Sequence, residues 1–392
     1  EIGAFGGDRS RVAIHGQSSG GGLVELQYVS PQSDGLFRAA ISESGSLSAM
    51  PLEAALRNTR ELGKAVGCKD EARLKECFKA LPPLAITSLT YAGAWGPTVD
   101  AVTIPRDPAS MLEAGEVVSS VDAVVFGAQT NDSFLFLSRD YTTHGASQPN
   151  DHPDGYLEYM NASTYMSILT STLGHAVSHK HRRLALELYP PVTQYPPRRN
   201  GSIVNTQSLG RAESDRMLCS NRRRARQLGA KGGRRGYVYR FNYWYKSNRK
   251  CRAVPNFHLD YLGAVHQDEV TFVLGQPNFM EQGSCCGVWG LSEGEEGCPK
   301  TTSCTACYDE ELGSGYHAYF DAKEFRFARL VGSLWTSFAD YGSPVGAAWP
   351  DVKGSGTGSG GIVLDADERG GHAVEEELYG NAKVCGLWDA LA

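Results

Sequence analysis

The sequence contains no uninterrupted apolar stretch of about 20 residues, so it predicts no transmembrane helix. Positive charge is not in excess either. There are 38 Lys and Arg residues against 44 Asp and Glu residues, which gives a formal net charge of −6. Nucleic-acid binding favours a basic surface. The composition therefore predicts neither a membrane-spanning segment nor a nucleic-acid partner.

Cysteine, by contrast, is well represented. The chain has ten cysteines in 392 residues, and an even number of this size is typical of an oxidising compartment. The acceptor triplets Asn161-Ala-Ser and Asn200-Gly-Ser fit the same setting. We therefore expect a secreted or lumenal glycoprotein. The sequence begins at Glu1 rather than at methionine, so it does not reveal whether a signal peptide exists.

Short apolar runs alternate with longer helical patterns, which predicts an α/β architecture with a mostly parallel sheet. The predicted strands are Val12–His15, Phe37–Ser42, Ala123–Ala128, Tyr237–Phe241 and Ile362–Leu364. The predicted helices are Gly22–Val29, Leu52–Val66, Tyr319–Tyr341 and a short last helix containing Cys385. No repeat or convincing linker divides the chain, so we expect one domain over residues 1–392, with a cap segment at 140–199.

Gly16-Gln17-Ser18-Ser19-Gly20 matches the pattern G-x-S-x-G at a predicted strand-to-helix junction. In this pattern a tight, strained turn raises the serine hydroxyl above the sheet. We attribute Gly16 and Gly20 to this elbow, since larger side chains there are expected to collide. Turns of small residues are common, however, and a nucleophilic serine also needs a base and a group that orients the base.

Longer segments carry a resemblance to a known family. FGGDRSRVAIHGQSSGGG at 5–22 and FRAAISESG at 37–45 resemble the nucleophile region of the carboxylesterase/cholinesterase family, the type-B carboxylesterases. WGPTVD at 95–100 and WTSFADYGSP at 335–344 resemble later segments of the same family, in the same order. The resemblance implies an α/β-hydrolase fold with a helical cap and a serine esterase that needs no cofactor or metal.

The resemblance also implies the order of the catalytic residues, which is serine, acid, histidine. VVFGAQTNDSF at 124–134 places Asp132 at the position of the acid, and GAVHQDEVTFVLG at 263–275 places His266 at that of the base. The implied roles are attack by Ser18, proton transfer by His266 and orientation by Asp132, with the N–H of Ser19 as an oxyanion donor. Taken singly, Asp132 is an ordinary turn residue and His266 is one of ten histidines.

Several positions depart from the family pattern. Gln17 replaces the usual glutamate, Asp132 is an aspartate, Ser133 replaces a glycine and Ser19 replaces an alanine. No HGGG-like segment, which would supply further oxyanion amides, occurs in the sequence. We therefore expect an N-terminally truncated fragment that lacks the first strands, exposes a sheet edge and has little activity.

The resemblance implies the disulfides Cys68–Cys77 and Cys219–Cys385. The other cysteines are Cys251, Cys285, Cys286, Cys298, Cys304 and Cys307. Five of them lie in an insertion at 283–313, where three further bridges are favoured and a zinc site beginning at Cys304-Thr-Ala-Cys307 is the alternative. The sequence leaves their pairing open.

An arginine-rich stretch at 222–226, with Arg234 and Arg235 beyond it, is interpreted as a solvated helix face rather than as a site for an anionic partner. For function, the alternative to an esterase is a non-catalytic adhesion or binding protein of the same family. The expected ligand is a small-molecule or lipid carboxylic ester. Its acyl and alcohol groups, and the oligomeric state, stay open.

Overall fold

A computed structural model describes residues 2–87, 95–134, 162–174, 177–191, 204–243, 263–275, 308–309, 314–315, 320–345, 349–352, 360–366 and 371–392. Its strands are β1 (Ala13–Gln17), β2 (Ala39–Glu43), β3 (Ala123–Gln129), β4 (Arg235–Phe241), β5 (Tyr308–Asp309), β6 (Ser314–Gly315), β7 (Gly361–Leu364) and β8 (His372–Glu375). Its α-helices are α1 (Ser19–Val29), α2 (Leu52–Ala65), α3 (Leu74–Ala80), α4 (Pro83–Thr87), α5 (Pro108–Ala114), α6 (Ala162–Leu173), α7 (His179–Leu188), α8 (Val204–Gly232), α9 (Val270–Val273), α10 (Ala322–Tyr341) and α11 (Ala382–Asp389).

Six strands form one sheet in the order β1-β2-β3-β4-β7-β8. The pairs from β1 to β7 are parallel, and β8 is antiparallel to β7. Strands β5 and β6 form a separate two-stranded hairpin. The prediction of a mostly parallel sheet flanked by helices is confirmed, and each strand expected from the sequence is present within one or two residues.

Both faces of the central strands are buried, as in sheets that helices cover on two sides. Alternate residues such as Ile41, Val125 and Tyr239 pack on one face against Val331, Leu334, Trp335 and other residues of α10. The intervening residues, such as Val124 and Phe126, pack on the other face against α1, α5 and α8. A third cluster joins α6, α7, α8 and α11. This packing fixes the strand ends that carry the site.

Strand β1 differs from its neighbours because it lies at the edge of the sheet. Every residue of β2 and β3 is buried, whereas β1 is half-buried and His15 is exposed. Among the described strands, β1 pairs with β2 alone. This arrangement agrees with the expected exposed edge.

Helix α10 begins three residues later than the sequence predicts. Asp321 caps its N-terminus by accepting from the backbone N–H groups of Lys323 and Glu324, and the Glu324 carboxylate accepts from the N–H of Asp321. This reciprocal capping box fixes the N-terminus of the helix at Asp321. The helical spacing of its aromatic residues predicts that Phe325, Phe327 and Phe338 lie on one apolar side. Phe327 and Phe338 are buried, but Phe325 is 57% exposed.

The interpretation of the arginine-rich stretch as a solvated face is wrong for Arg222 and Arg224, which are buried. The side chain of Arg222 pairs with Glu375, and that of Arg224 pairs with Glu25, all four being nearly fully buried. Arg234 donates to backbone carbonyl oxygens, including that of Val121. Arg222 and Arg224 therefore neutralise carboxylates inside the fold. The partners of all three arginines lie far away in the sequence.

The structure contains the disulfides Cys68–Cys77 and Cys219–Cys385. The other six cysteines lie outside the described residues, as do residues 140–161 of the cap segment and most of the insertion at 283–313. Within the described ranges, every helix is too short or too polar to cross a bilayer. The same ranges hold no cluster of three or more His, Cys, Asp or Glu side chains suited to a metal.

Candidate active site

Ser18 lies at the turn between the end of β1 and the start of α1. Its φ of 60° and ψ of −123° place a non-glycine residue in a strained part of backbone space. The N–H of Ser18 donates to the Glu43 carbonyl oxygen at 2.8 Å, and the N–H of Gly22 donates to the Ser18 carbonyl oxygen at 3.0 Å. These bonds hold the strained conformation, which is the geometry that the G-x-S-x-G pattern predicts.

The glycines around Ser18 have unequal roles. A Cβ at Gly16 would lie 2.5 Å from the backbone of Gly20, so position 16 has no room for a side chain. A Cβ at Gly20 would meet no atom within 4 Å, so the expected collision at this position is absent. The crowded helical position is Gly21, where a Cβ would lie 2.8 Å from the Glu43 carbonyl oxygen. Close contact therefore explains Gly16 and Gly21 but not Gly20.

Asp132 and His266 lie in direct contact although 134 residues separate them. Asp132 follows the end of β3 and is fully buried, and His266 lies in the loop before α9 with 5% of its surface exposed. Nδ1 of His266 is 2.7 Å from Oδ1 of Asp132. Because an ionised carboxylate only accepts hydrogen bonds, we assign the imidazole proton to Nδ1, which leaves a lone pair on Nε2.

The loops that carry these two residues are joined through their backbones. The N–H of Asn131 donates to the carbonyl oxygen of Ala264 at 2.9 Å. Gly263 has a φ of +63°, and a Cβ there would lie 2.5 Å from the side-chain nitrogen of Asn131. A glycine is thus required for the loop of His266 to approach the end of β3.

The second oxygen of Asp132 has two donors. The Ser44 hydroxyl donates to Oδ2 at 2.6 Å, and the N–H of Gln129 donates to it at 3.1 Å. Ser44 also has an unusual positive φ of 52°. Neither Ser44 nor Gln129 lies in a motif that predicts a role for it. The available signal was that Ser44 directly follows a strand, beside the ends of β1 and β3.

Two further buried carboxyl groups, those of Glu269 and Glu43, lie near Asp132. Glu269 is fully buried, and it accepts from the side-chain amide of Gln129 and, at 3.4 Å, from the hydroxyl of Tyr239. Burial raises the pKa of Glu269 well above its usual value, and the charges of Glu43 and Asp132 raise it further. The fold therefore disfavours a negative charge on Glu269. Glu43 accepts from the indole N–H of Trp335 at 2.6 Å.

Gln17 connects the imidazole to the elbow. Its side-chain nitrogen lies 3.2 Å from Nε2 of His266. Gln17 immediately precedes Ser18, so this contact joins the imidazole to the residue next to the strained serine. Ser19 is exposed at the first turn of α1, where free backbone N–H groups stabilise negative charge. The structure thus contains an imidazole bonded to a buried carboxylate, and a strained serine at the start of a helix. Acyl transfer by a serine nucleophile requires groups of these kinds.

Comparison with known proteins agrees with this chemistry. A model described as "Carboxylesterase family" matches residues 1–286. The acetylcholinesterase of Leptinotarsa decemlineata is 23% identical over 291 residues, which cover 70% of this chain and 43% of that protein. Human bile salt-activated lipase is 33% identical over 156 residues, covering 36% of this chain and 20% of the lipase. Human neuroligin-2 is 35% identical over 131 residues, covering 30% of this chain and 15% of the neuroligin. The matches therefore span less than half the length of each of these relatives.

Proposed function

Because the chain belongs to the carboxylesterase family, we propose that it is a serine hydrolase that cleaves carboxylic esters through an acyl-Ser18 intermediate. The observation that carries the proposal is the contact of 2.7 Å between Nδ1 of His266 and the buried Asp132. The strained elbow conformation of Ser18 supports it. The α/β-hydrolase fold of the family is compatible with other functions too, so the proposal depends on these side chains rather than on the fold.

In the proposed reaction, the Ser18 oxygen forms a bond with the acyl carbon while its proton passes to Nε2 of His266. His266 then returns this proton to the leaving alcohol as the tetrahedral intermediate collapses to the acyl-enzyme. In the second half of the reaction, water adds to the acyl carbon and gives a proton to His266. The bond between the acyl carbon and the Ser18 oxygen then breaks, His266 returns the proton to Ser18, and the carboxylic acid leaves. Asp132 stabilises the imidazolium that forms in each half, and the N–H of Ser19 donates to the oxyanion.

We also propose that this chain turns over esters slowly. No segment of it resembles a glycine-rich oxyanion loop, so Ser19 is the one oxyanion donor we identify. Loss of a single such donor lowers the rate by about 10²- to 10³-fold in a characterised serine hydrolase. The substrate class is a small-molecule or lipid carboxylic ester. A secreted or lumenal location is proposed from the disulfides.

A non-catalytic binding function is the second candidate, and the similarity to neuroligin-2 favours it. A fluorophosphonate probe distinguishes the two candidates because it reacts with an activated serine. We expect the chain to be labelled at Ser18, the variants Ser18→Ala and His266→Ala to be unlabelled, and native folding to be retained in both by circular dichroism. A folded chain that the probe never labels would favour the binding function. Ester turnover as fast as that of a typical esterase would contradict the proposed slow turnover.

A further inference from the structure

The imidazole of His266 is held from both sides by groups of different charge. Nδ1 faces the buried carboxylate of Asp132 at 2.7 Å, and Nε2 faces the side-chain nitrogen of Gln17 at 3.2 Å. With its proton on Nδ1, the neutral imidazole can only accept at Nε2, so the NH₂ group of Gln17 is the half of the amide that faces it. Gln17 is therefore a hydrogen-bond donor to the same lone pair that has to receive the proton of Ser18.

The backbone of Gln17 is fixed on both sides. It is the last residue of β1 and pairs in register with Glu43 of β2. It also immediately precedes Ser18, whose N–H is bonded to the carbonyl oxygen of Glu43. A side chain that starts from this point and ends on Nε2 sets the distance between the imidazole and the elbow. Asp132 alone cannot do this, because it lies in the loop that follows β3 and not in the elbow.

An amide suits both protonation states of the imidazole. When Nε2 has no proton, the NH₂ group of Gln17 donates to it. When Nε2 carries the proton taken from Ser18, a half-turn of the amide presents its oxygen as an acceptor. A carboxylate at this position would instead favour the protonated imidazole by an ion pair at close range.

The effect of a carboxylate at position 17 depends on the other charged groups around His266. Asp132 supplies a negative charge in direct contact with the ring, while burial raises the pKa of Glu269 on the α9 side and so disfavours a charge there. Asp268 accepts from the N–H of Val265 at 2.8 Å, and Glu43 of β2 is bonded to Trp335. A second carboxylate in direct contact with the imidazole would therefore change the local balance substantially.

From this geometry we infer that Gln17 is a positioning residue that ties His266 to the nucleophile elbow and, being uncharged, keeps the base unprotonated down to a lower pH than a carboxylate at the same position would allow. The inference depends on the proposed function, since it gives Gln17 a role only through His266 and Ser18.

The test measures the rate of fluorophosphonate labelling of Ser18 against pH, which requires no ester turnover. We expect Gln17→Glu to move the acidic limb of the profile upward by about one pH unit, as is typical for a new opposite charge within hydrogen-bonding distance. We expect Gln17→Ala to lower the plateau rate about tenfold, because the imidazole loses its link to the elbow. Gln27→Glu adds the same charge at an exposed position of α1 and should leave the profile unchanged.

Failure of the inference and failure of the proposed function give different results. If the wild-type chain is never labelled, the proposed function fails. If the wild-type chain is labelled but Gln17→Glu leaves the acidic limb in place, the electrostatic part of the inference is wrong. If Gln17→Ala is labelled as fast as the wild type or faster, Gln17 does not position the base. Thermal unfolding of each variant shows whether a lower rate arises from a loss of folded protein.

Discussion

The Ser44 hydroxyl donates to Oδ2 of Asp132 at 2.6 Å, on the opposite side of the carboxylate from His266. The same hydroxyl lies 2.8 Å from the side-chain oxygen of Gln129. Its direct link to the proposed chemistry is the bond to Asp132, so we assign it a role in orienting that carboxylate. We expect Ser44→Ala to lower the plateau rate of fluorophosphonate labelling about tenfold, because a carboxylate that can rotate holds the imidazole less well. The free energy of unfolding should fall by about 1–3 kcal/mol, since a buried acceptor loses its donor.

Ser42 provides a matched control two residues earlier, in β2. Its hydroxyl is also buried and donates to Glu25 at 2.6 Å rather than to Asp132. Ser42→Ala should lower the free energy of unfolding by a similar amount and leave the labelling rate of the folded protein unchanged. Equal labelling rates for the two variants, measured on folded protein, would refute an orienting role for Ser44.

The sequence predicted the candidate residues of the site but not the groups that hold them in place. Ser18, Asp132 and His266 each lie in a segment with a recognisable local pattern, and the structure places Asp132 and His266 in contact. Ser44 has no such pattern, because its role depends on a partner 88 residues away that the sheet brings to it. The expected collision at Gly20 failed for a related reason. The close contacts of a turn depend on dihedral angles that a motif does not contain.

The unequal crowding of the elbow glycines predicts unequal effects of substitution. Gly16→Ala places a Cβ 2.5 Å from the backbone of Gly20, and the backbone cannot move away without disturbing the turn. We expect a loss of about 3 kcal/mol of unfolding free energy, as for a strongly overpacked core position, together with loss of labelling. Gly20→Ala should be neutral or stabilising by up to about 1 kcal/mol, because Gly20 lies in α1 and its Cβ meets nothing. Denaturant unfolding of the two variants measures the difference. Similar losses in both would contradict the structure.

The buried arginines show where interpretation from charge alone fails. An acidic composition and a run of arginines are compatible with a solvated helix face. Arg224 nevertheless pairs with Glu25, which lies 199 residues earlier in the sequence. The pairing depends on α8 packing against β3 and β4 beside α1. Helical periodicity predicts the helix, whereas only the packed layers determine which of its arginines are buried.

The Arg224–Glu25 pair predicts a large loss on removal of one partner. Glu25 is fully buried and lies 2.9 Å from Nε of Arg224, so Arg224→Met leaves a carboxylate without its counter-charge. We expect this variant to lose about 3–5 kcal/mol of unfolding free energy. The double variant Arg224→Met/Glu25→Met should lose less, because no buried charge is left uncompensated. Lys64→Met breaks the exposed pair with Glu61 and should cost under about 0.5 kcal/mol. A double variant less stable than Arg224→Met would show that the charges themselves stabilise the fold.

Asp215 on α8 predicts a component of stability that falls as the pH rises. Burial raises the pKa of Asp215 from 3.8 to about 6, and the charge of Arg211 and the hydroxyls of Tyr189 and Tyr379 oppose this shift only in part, with a smaller contribution from Arg240. Because the folded chain holds the proton more tightly than the unfolded chain does, the stabilisation is fully present below about pH 4 and is lost as the pH rises through about 6. The whole change corresponds to about 3 kcal/mol.

This component can be isolated by substitution. Between pH 5 and 7.5 the wild type should lose about 1 kcal/mol of unfolding free energy more than Asp215→Asn, since the amide does not titrate. Asp34→Asn is the control. Asp34 is exposed, and hydrogen bonds from Ser120 and Ser119 lower its pKa, so its titration is complete below pH 5. Denaturant unfolding at both pH values tests the prediction. An Asp215→Asn variant with the same pH dependence as the wild type would mean that Asp215 stays ionised at pH 5. Arg211, whose Nε lies 3.6 Å from Oδ2 of Asp215, would then compensate the burial of Asp215 more fully than that distance indicates.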